Sequence, residues 1–239
     1  MKKDGWMKFW RVLGLLVLVF LSVIGAQLLI GLPLAFLVPT EVLESPIVNT
    51  LYSVASYILV IILVIYLPPK ILKKKIRPSS RESLGLSGLP TWTDIGLSIP
   101  GYIASILLGM GLTFLFTFMP WFNADEAQEL GYTPYMVGFE RVISYLLLAV
   151  IAPICEELVF RGFLYGKLRI MVPKWLAIIL TSLLFGIIHL QWNVGVVVFA
   201  MSIITCILRE VTGTIYAGML VHIINNSIAF YLVYVIGIM

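Results

Sequence analysis

The sequence predicts an all-α fold, a polytopic bundle of about seven transmembrane helices. Hydrophobic residues make up 61% of the 239 residues and charged residues only 12%, a composition outside the range of soluble globular domains. The apolar residues form runs of about 20, the length that a helix needs to cross a bilayer. A β-barrel would instead show alternating segments of about ten residues. We therefore expect a single membrane domain over residues 1–239.

Seven apolar segments are predicted as spans, at about 12–38, 47–67, 94–118, 138–160, 175–190, 194–209 and 213–236. The fifth and sixth are short for a bilayer, which a helix inside a bundle or beside a water-filled cavity tolerates. The stretch at about 68–93 is predicted as a cytoplasmic linker, because it is rich in basic residues and contains the turn-forming sequence Pro78-Ser79-Ser80.

Basic and acidic residues alternate between the predicted loops. Basic residues precede the first span, fill the linker and follow the fourth span, whereas the acidic pair Glu41 and Glu44 lies in a loop of the other side. Positive charge marks cytoplasmic loops, so the N-terminus is expected in the cytoplasm. The net charge of +4 comes from these loops, and the sequence indicates no nucleic-acid partner.

A few polar groups lie inside the predicted spans or, in the case of Arg161, among the loop charges just beyond the end of the fourth. An ionisable side chain within the membrane is costly unless paired or hydrated. The groups are Glu156, Glu157, Arg161, His189, His222, Asn225 and Asn226. Three pairs are four residues apart and share a helix face: Glu157 with Arg161, Phe185 with His189, and His222 with Asn226. Three helices each supply such a group, which favours one shared site over three unrelated contacts.

Each group also has a purely structural interpretation. Glu156, Glu157 and Arg161 could be a solvated cluster at a cytoplasmic helix end, and His189 could lie at the outer end of a short span. His222 and Asn226 could form a helix–helix contact. Asn225 could face inward instead of Asn226, although the spacing from His222 favours Asn226. Cys155 is interpreted as structural, since apolar surroundings disfavour its thiolate.

Taken together, these groups suit the hydrolysis of an amide. A carboxylate in apolar surroundings can act as a general base toward water, and a histidine can share that water or pass on its proton. A second histidine with an asparagine on the same face supplies two donors for a developing oxyanion. Two histidines and a carboxylate could instead bind zinc. A proton or ion pathway is a third possibility.

The same motifs resemble those of a known family. The sequence APICEELVFRGFLYGKL around Glu156, then Phe185 with His189, then His222 with Asn226, is similar in order and content to the CAAX protease and bacteriocin-processing (CPBP) family. This family, also called Abi or type II CAAX prenyl endopeptidase-like, consists of intramembrane proteases. The motifs cover about 153–226. The resemblance implies a helical bundle with an intramembrane cavity, and a catalytic core at about 138–236.

The resemblance also implies roles for the residues. Glu156 would activate water with help from His189, while His222 and Asn226 would form the oxyanion hole. Glu157 and Arg161 are interpreted as a supporting salt bridge, with Phe185 as a further motif position.

The family is often labelled a metalloprotease, whereas the structure of an archaeal CAAX protease was interpreted as glutamate-dependent without catalytic metal. We favour no metal and no other cofactor, because an asparagine suits an oxyanion hole better than a zinc shell. The alternative is a divalent metal such as zinc, held by Glu156, His189 and His222.

The expected function is therefore that of an intramembrane endopeptidase in a prokaryotic cell membrane. Its partners would be membrane lipid and a membrane-associated or lipidated protein or peptide substrate. The alternative is a non-proteolytic bacteriocin-immunity or scaffold protein of the same fold. A transporter is less favoured, because no inverted repeat is found.

The predicted spans leave one conflict of depth. With a rise of 1.5 Å per residue, Glu156 lies ~27 Å from the outer end of the fourth span, and His189 ~22 Å from the inner end of the fifth. The two side chains would then be separated by well over ~10 Å along the membrane normal. Three features could remove the conflict: a fourth helix that projects beyond the membrane around Glu140 and Arg141, a segment 166–173 that is not a plain cytoplasmic turn, or a bend at Pro153.

Overall fold

The computed structural model describes residues 2–68, 79–126, 132 and 136–237, in which all regular structure is helical. Eight helices follow in order: α1 Lys2–Leu37, α2 Thr40–Leu43, α3 Pro46–Tyr66, α4 Trp92–Phe116, α5 Gly138–Met171, α6 Lys174–Ile187, α7 Trp192–Thr212 and α8 Tyr216–Ile236. Six are long and apolar enough to cross a membrane, whereas α6 has 14 residues and α2 is a single turn. The predicted all-α membrane bundle is confirmed, and six long helices plus α6 correspond to the seven predicted spans.

Helix α5 is longer than the predicted fourth span. It has 34 residues and continues to Met171 instead of ending near residue 160. The prediction treats Arg161 as a loop charge beyond the span, but the Arg161 side chain is wholly buried inside the bundle. A charge that is paired in the protein interior does not mark a membrane boundary.

Two π-helical turns interrupt α5, at Leu146–Ile151 and Leu158–Tyr165. Between them lies the regular α-helical segment Ala152–Glu157, whose second residue is Pro153. Proline lacks an N–H group and its ring clashes with the preceding helical turn, so the wider turn before it relieves this strain. Such π turns are frequent at functional sites.

Helices α5 and α6 form an antiparallel hairpin about Val172 and Pro173. Val172 is extended (φ −132°, ψ 163°), as expected for a residue that precedes proline. Glu156 lies fifteen residues before Met171, and His189 lies fifteen residues after Lys174. At 1.5 Å per residue both are ~22 Å from the turn, so the conflict of depth disappears once α5 has its observed length.

The linker returns to the core in its second half. Residues 79–88, here called the clasp, contain the buried Leu84 and Gly85, whose carbonyl accepts a hydrogen bond from Ile215 N at 3.0 Å. Arg209 of α7 donates to the carbonyls of Ser83 (2.9 Å) and Gly162 (3.0 Å). The clasp therefore ties the first half of the chain to α5, α7 and α8. Residues 69–78 of the predicted linker lie outside the described residues.

Outward faces of the bundle carry large apolar side chains. On α4, Leu107, Met110 and Phe114 are each at least 64% exposed. So much apolar surface is unfavourable in water, and it fits a helix that faces lipid. The chain is an integral membrane protein.

Gly186 makes the contact between α6 and α7 possible. A Cβ atom at Gly186 would lie 2.8 Å from the carbonyl oxygen of Gly195, which is backbone and cannot turn aside. We expect Gly186→Ala to force the helices apart and to lower stability by about 1–3 kcal/mol, measured as thermal unfolding in lipid or detergent. Gly96→Ala is the matched control, because no atom lies within 4 Å of its Cβ. The control should leave stability unchanged or raise it by roughly 0.5–1 kcal/mol, and equal losses in both variants would contradict the tight contact.

Candidate active site

A buried ion pair lies at the centre of the bundle. Arg161 Nη1 is 3.0 Å from Glu157 Oε1, and neither side chain has any exposed surface. His222 Nδ1 of α8 is 3.2 Å from the same carboxylate oxygen. The four-residue spacing of Glu157 and Arg161 thus produces the expected pair. Its complete burial excludes the interpretation as a solvated cluster at a helix end.

The adjacent carboxylate, Glu156, has different partners. Its Oε1 accepts a hydrogen bond of 2.7 Å from the phenol of Tyr57 on α3. Its Oε2 lies 3.7 Å from His222 Nε2, and the side chain is 17% exposed. The two ring nitrogens of His222 therefore face two neighbouring glutamates, Nδ1 toward Glu157 and Nε2 toward Glu156. This arrangement makes Glu156 the more accessible carboxylate of the pair.

The ring of His189, just beyond the end of α6, is positioned by a backbone carbonyl of that helix. Its Nδ1 lies 2.7 Å from the carbonyl oxygen of Phe185. A carbonyl can only accept a hydrogen bond, so Nδ1 carries the proton and Nε2 of the neutral ring keeps a lone pair. The histidine thus presents an acceptor to whatever binds beside it.

The ring of Phe185 contacts three of the polar side chains of the site, Arg161, His189 and His222. The guanidinium of Arg161 lies 4.3 Å from the ring centroid, within cation–π range. The rings of His189 and His222 stand edge-on to it at 5.1 and 5.9 Å. Within the described part of the chain no ion pair joins His189 to Glu156; Phe185 is the side chain that links His189 to the rest of the cluster.

The two asparagines of α8 face different neighbours. Asn226 Nδ2 donates to the carbonyl of Leu148, in the first π turn of α5, at 3.0 Å. Asn225 Nδ2 donates to Asn226 Oδ1 at 3.2 Å, and Asn225 also lines a mainly apolar groove of about 410 Å³ between α4 and α7. Asn226 is therefore the asparagine that contacts the helix of Glu156, while Asn225 borders the groove.

A bound metal would need its ligand side chains grouped around one point. In the described ranges, no three His, Cys, Asp or Glu side chains are grouped so that they could hold a metal ion. Glu156 and His222 are neighbours, but the structure does not bring His189 into one ligand set with them. In this arrangement the set Glu156, His189 and His222 does not fit a metal ion.

Tyr57 is the residue of this site that sequence reasoning missed. A tyrosine in an apolar span is common and carries no signal by itself. Its position on α3, 99 residues before Glu156, does not indicate a contact between the two. Only the packing of α3 against α5 brings the two together.

The second half of the chain is similar to a protease family. Residues 138–228 match the family described as type II CAAX prenyl endopeptidase Rce1-like, which confirms the resemblance inferred from the motifs. The match includes α5, α6, α7 and most of α8, and it leaves Tyr57 outside.

Two curated relatives are bacterial proteins. The "Putative membrane peptidase YdiL" of Bacillus subtilis is 24% identical over 184 residues, which cover 74% of this chain and 69% of that protein. The UPF0177 protein YbdI of Lactococcus lactis is 53% identical over 51 residues, 20% of this chain and 26% of that protein. No solved structure matches this chain significantly.

Proposed function

We propose that this Rce1-like membrane protein is an intramembrane endopeptidase, which hydrolyses a peptide bond of a membrane-associated or lipidated protein or peptide. The observation that carries the proposal is the convergence of Glu156 and His222 from two helices of the Rce1-like segment. Glu156 Oε2 and His222 Nε2 are 3.7 Å apart, and the buried Glu157–Arg161 pair lies beside them. We place the site in a prokaryotic membrane, with the N-terminus in the cytoplasm as the loop charges indicate.

In the proposed reaction Glu156 is the general base. It takes a proton from water while the water oxygen forms a bond to the carbonyl carbon of the substrate. His189 can orient the same water through the lone pair on Nε2. The tetrahedral intermediate then collapses, the C–N bond breaks, and Glu156 returns the proton to the leaving amine.

The negative charge that develops on the carbonyl oxygen needs donors in fixed positions. Asn226 has two N–H bonds, of which one is donated to Leu148, so the other remains for the oxyanion. His222 can donate through Nε2 only when that nitrogen carries a proton. His222 Nδ1 lies 3.2 Å from Glu157 Oε1, and a carboxylate oxygen accepts, so Nδ1 carries a proton there. The form that also donates through Nε2 is the doubly protonated ring.

Glu157 and Arg161 have a supporting role in this scheme. Arg161 neutralises Glu157 and packs on Phe185, and Glu157 in turn fixes the ring of His222. The pair therefore sets the position of a proposed donor without touching substrate. We propose a glutamate-dependent reaction without metal, for which activity after treatment with a strong chelator is the direct check.

The experiment that tests the function compares membrane proteomes of cells that carry the natural chain or the Glu156→Gln variant. We expect new peptide termini, near or inside hydrophobic segments, that appear only with the natural chain. Equal termini in both strains would overturn the protease proposal. If a phenotype such as bacteriocin immunity also survived in the variant, the protein would be the non-proteolytic alternative.

A further inference from the structure

We infer that Tyr57 is a positioning residue for Glu156, so that α3 belongs to the working site although it lies outside the Rce1-like segment. The inference rests on the proposed function, because positioning a general base has meaning only if Glu156 is one. It assigns a role to a residue that neither the motifs nor the matched range 138–228 includes.

A short hydrogen bond joins Tyr57 to Glu156. The phenol oxygen of Tyr57 lies 2.7 Å from Glu156 Oε1, between residues 99 positions apart in the chain. A hydrogen bond from a neutral donor to a carboxylate is charge-assisted, shorter and about twice as strong as one between neutral groups. Within the described residues this is the hydrogen bond that the Glu156 side chain receives.

The two carboxylate oxygens of Glu156 have different partners. Tyr57 holds Oε1, whereas Oε2 faces His222 Nε2 at 3.7 Å. Tyr57 therefore fixes the orientation of the carboxylate, so that one oxygen stays directed toward His222 and available to take a proton from water. Without the phenol the carboxylate could rotate about its last bond, since terminal torsions of this kind have broad energy wells.

The neighbouring carboxylate of Glu157 is held in place differently from that of Glu156. The Glu157 carboxylate is fixed by an arginine four residues along the same helix and is completely buried. Glu156 has no such partner on α5 and is 17% exposed. A base that must also contact water cannot be held by full burial, and a single donor from a neighbouring helix meets both needs.

The test removes the phenol oxygen alone. For Tyr57→Phe we expect kcat on a cleaved peptide to fall by about ten- to hundredfold, the effect of a small misplacement of a catalytic group, with KM unchanged within about twofold. The matched control is Tyr52→Phe on the same helix, because the phenol of Tyr52 donates to the carbonyl of Gln27 on α1 at 3.2 Å and not to Glu156. The control should keep both kcat and KM.

The outcomes separate this inference from the proposed function. If the natural chain cleaves, Glu156→Gln does not, and Tyr57→Phe retains full kcat, the positioning role is overturned while the protease proposal stands. If Tyr57→Phe and Tyr52→Phe lose the same activity together with thermal stability, the phenols serve packing and the inference fails. If Glu156→Gln still cleaves, the general-base proposal fails first. A fall in kcat for Tyr57→Phe alone, at unchanged thermal midpoint and KM, supports the inference.

Discussion

Replacing Glu156 with glutamine is expected to lower kcat by at least about 100-fold, because general-base catalysis typically contributes 10²–10⁴-fold. The amide of glutamine has nearly the shape of the carboxylate and can still accept the hydrogen bond from Tyr57, but it cannot take a proton from water. The measurement is the rate of peptide cleavage by purified protein in lipid vesicles. We expect the thermal unfolding midpoint to change little.

Glu210→Gln is the matched control for this change. Glu210 also lies on a membrane-spanning helix, but it pairs with Arg169 (3.0 Å) and Tyr165 (2.8 Å) away from the cluster. Its substitution should leave kcat within a few-fold of the natural chain. If Glu156→Gln and Glu210→Gln reduced cleavage equally, Glu156 would have no special part in the chemistry.

Replacing Arg161 with methionine is expected to lower the free energy of unfolding by about 3–5 kcal/mol, the usual effect of leaving one buried charge without its partner. Glu157 would keep its contact with His222 but lose its arginine partner, and the cation–π contact with Phe185 would be lost. Thermal or denaturant unfolding in detergent micelles measures the change. Activity should fall as well, because Phe185 loses its contact with Arg161, and Glu157, which contacts His222, loses its own partner.

Two further variants make the result specific to the buried pair. Adding Glu157→Gln to Arg161→Met removes both charges and should recover much of the stability, since the uncompensated carboxylate is gone. Arg169→Met breaks a pair in which Arg169 is 44% exposed, and should lower stability by less than about 1 kcal/mol. A single Arg161→Met variant as stable as Arg169→Met would show that the buried pair contributes little.

Much of this architecture is predictable from the sequence because the membrane restricts the choices. Backbone groups in hydrocarbon must bond internally, so long apolar runs become helices. Ionisable side chains in those runs are costly unless they are paired or hydrated, and this cost draws attention to Glu156, Arg161 and His222. Residues four apart on a helix meet, which predicts the contact of Glu157 with Arg161 and of Phe185 with His189.

The parts that the sequence does not predict depend on packing between distant helices. The predicted end of α5 is wrong because the sequence does not distinguish an arginine that is buried and paired, such as Arg161, from one that lies at the membrane boundary. Tyr57 was missed because its contact is set by how α3 packs on α5. Spacing favours Asn226 over Asn225, but only the structure shows that Asn226 reaches the carbonyl of Leu148. The catalytic roles of Glu156, His189, His222 and Asn226 stay predictions.

The clasp and the position of His222 have a consequence for biosynthesis. Spans are made in order from the N-terminus, and the clasp can close only when Ile215, at the start of α8, has left the ribosome. A nascent chain that has inserted only through α7 also lacks His222 and Asn226. The proposed protease would therefore stay inactive during synthesis until α8 has been made and inserted.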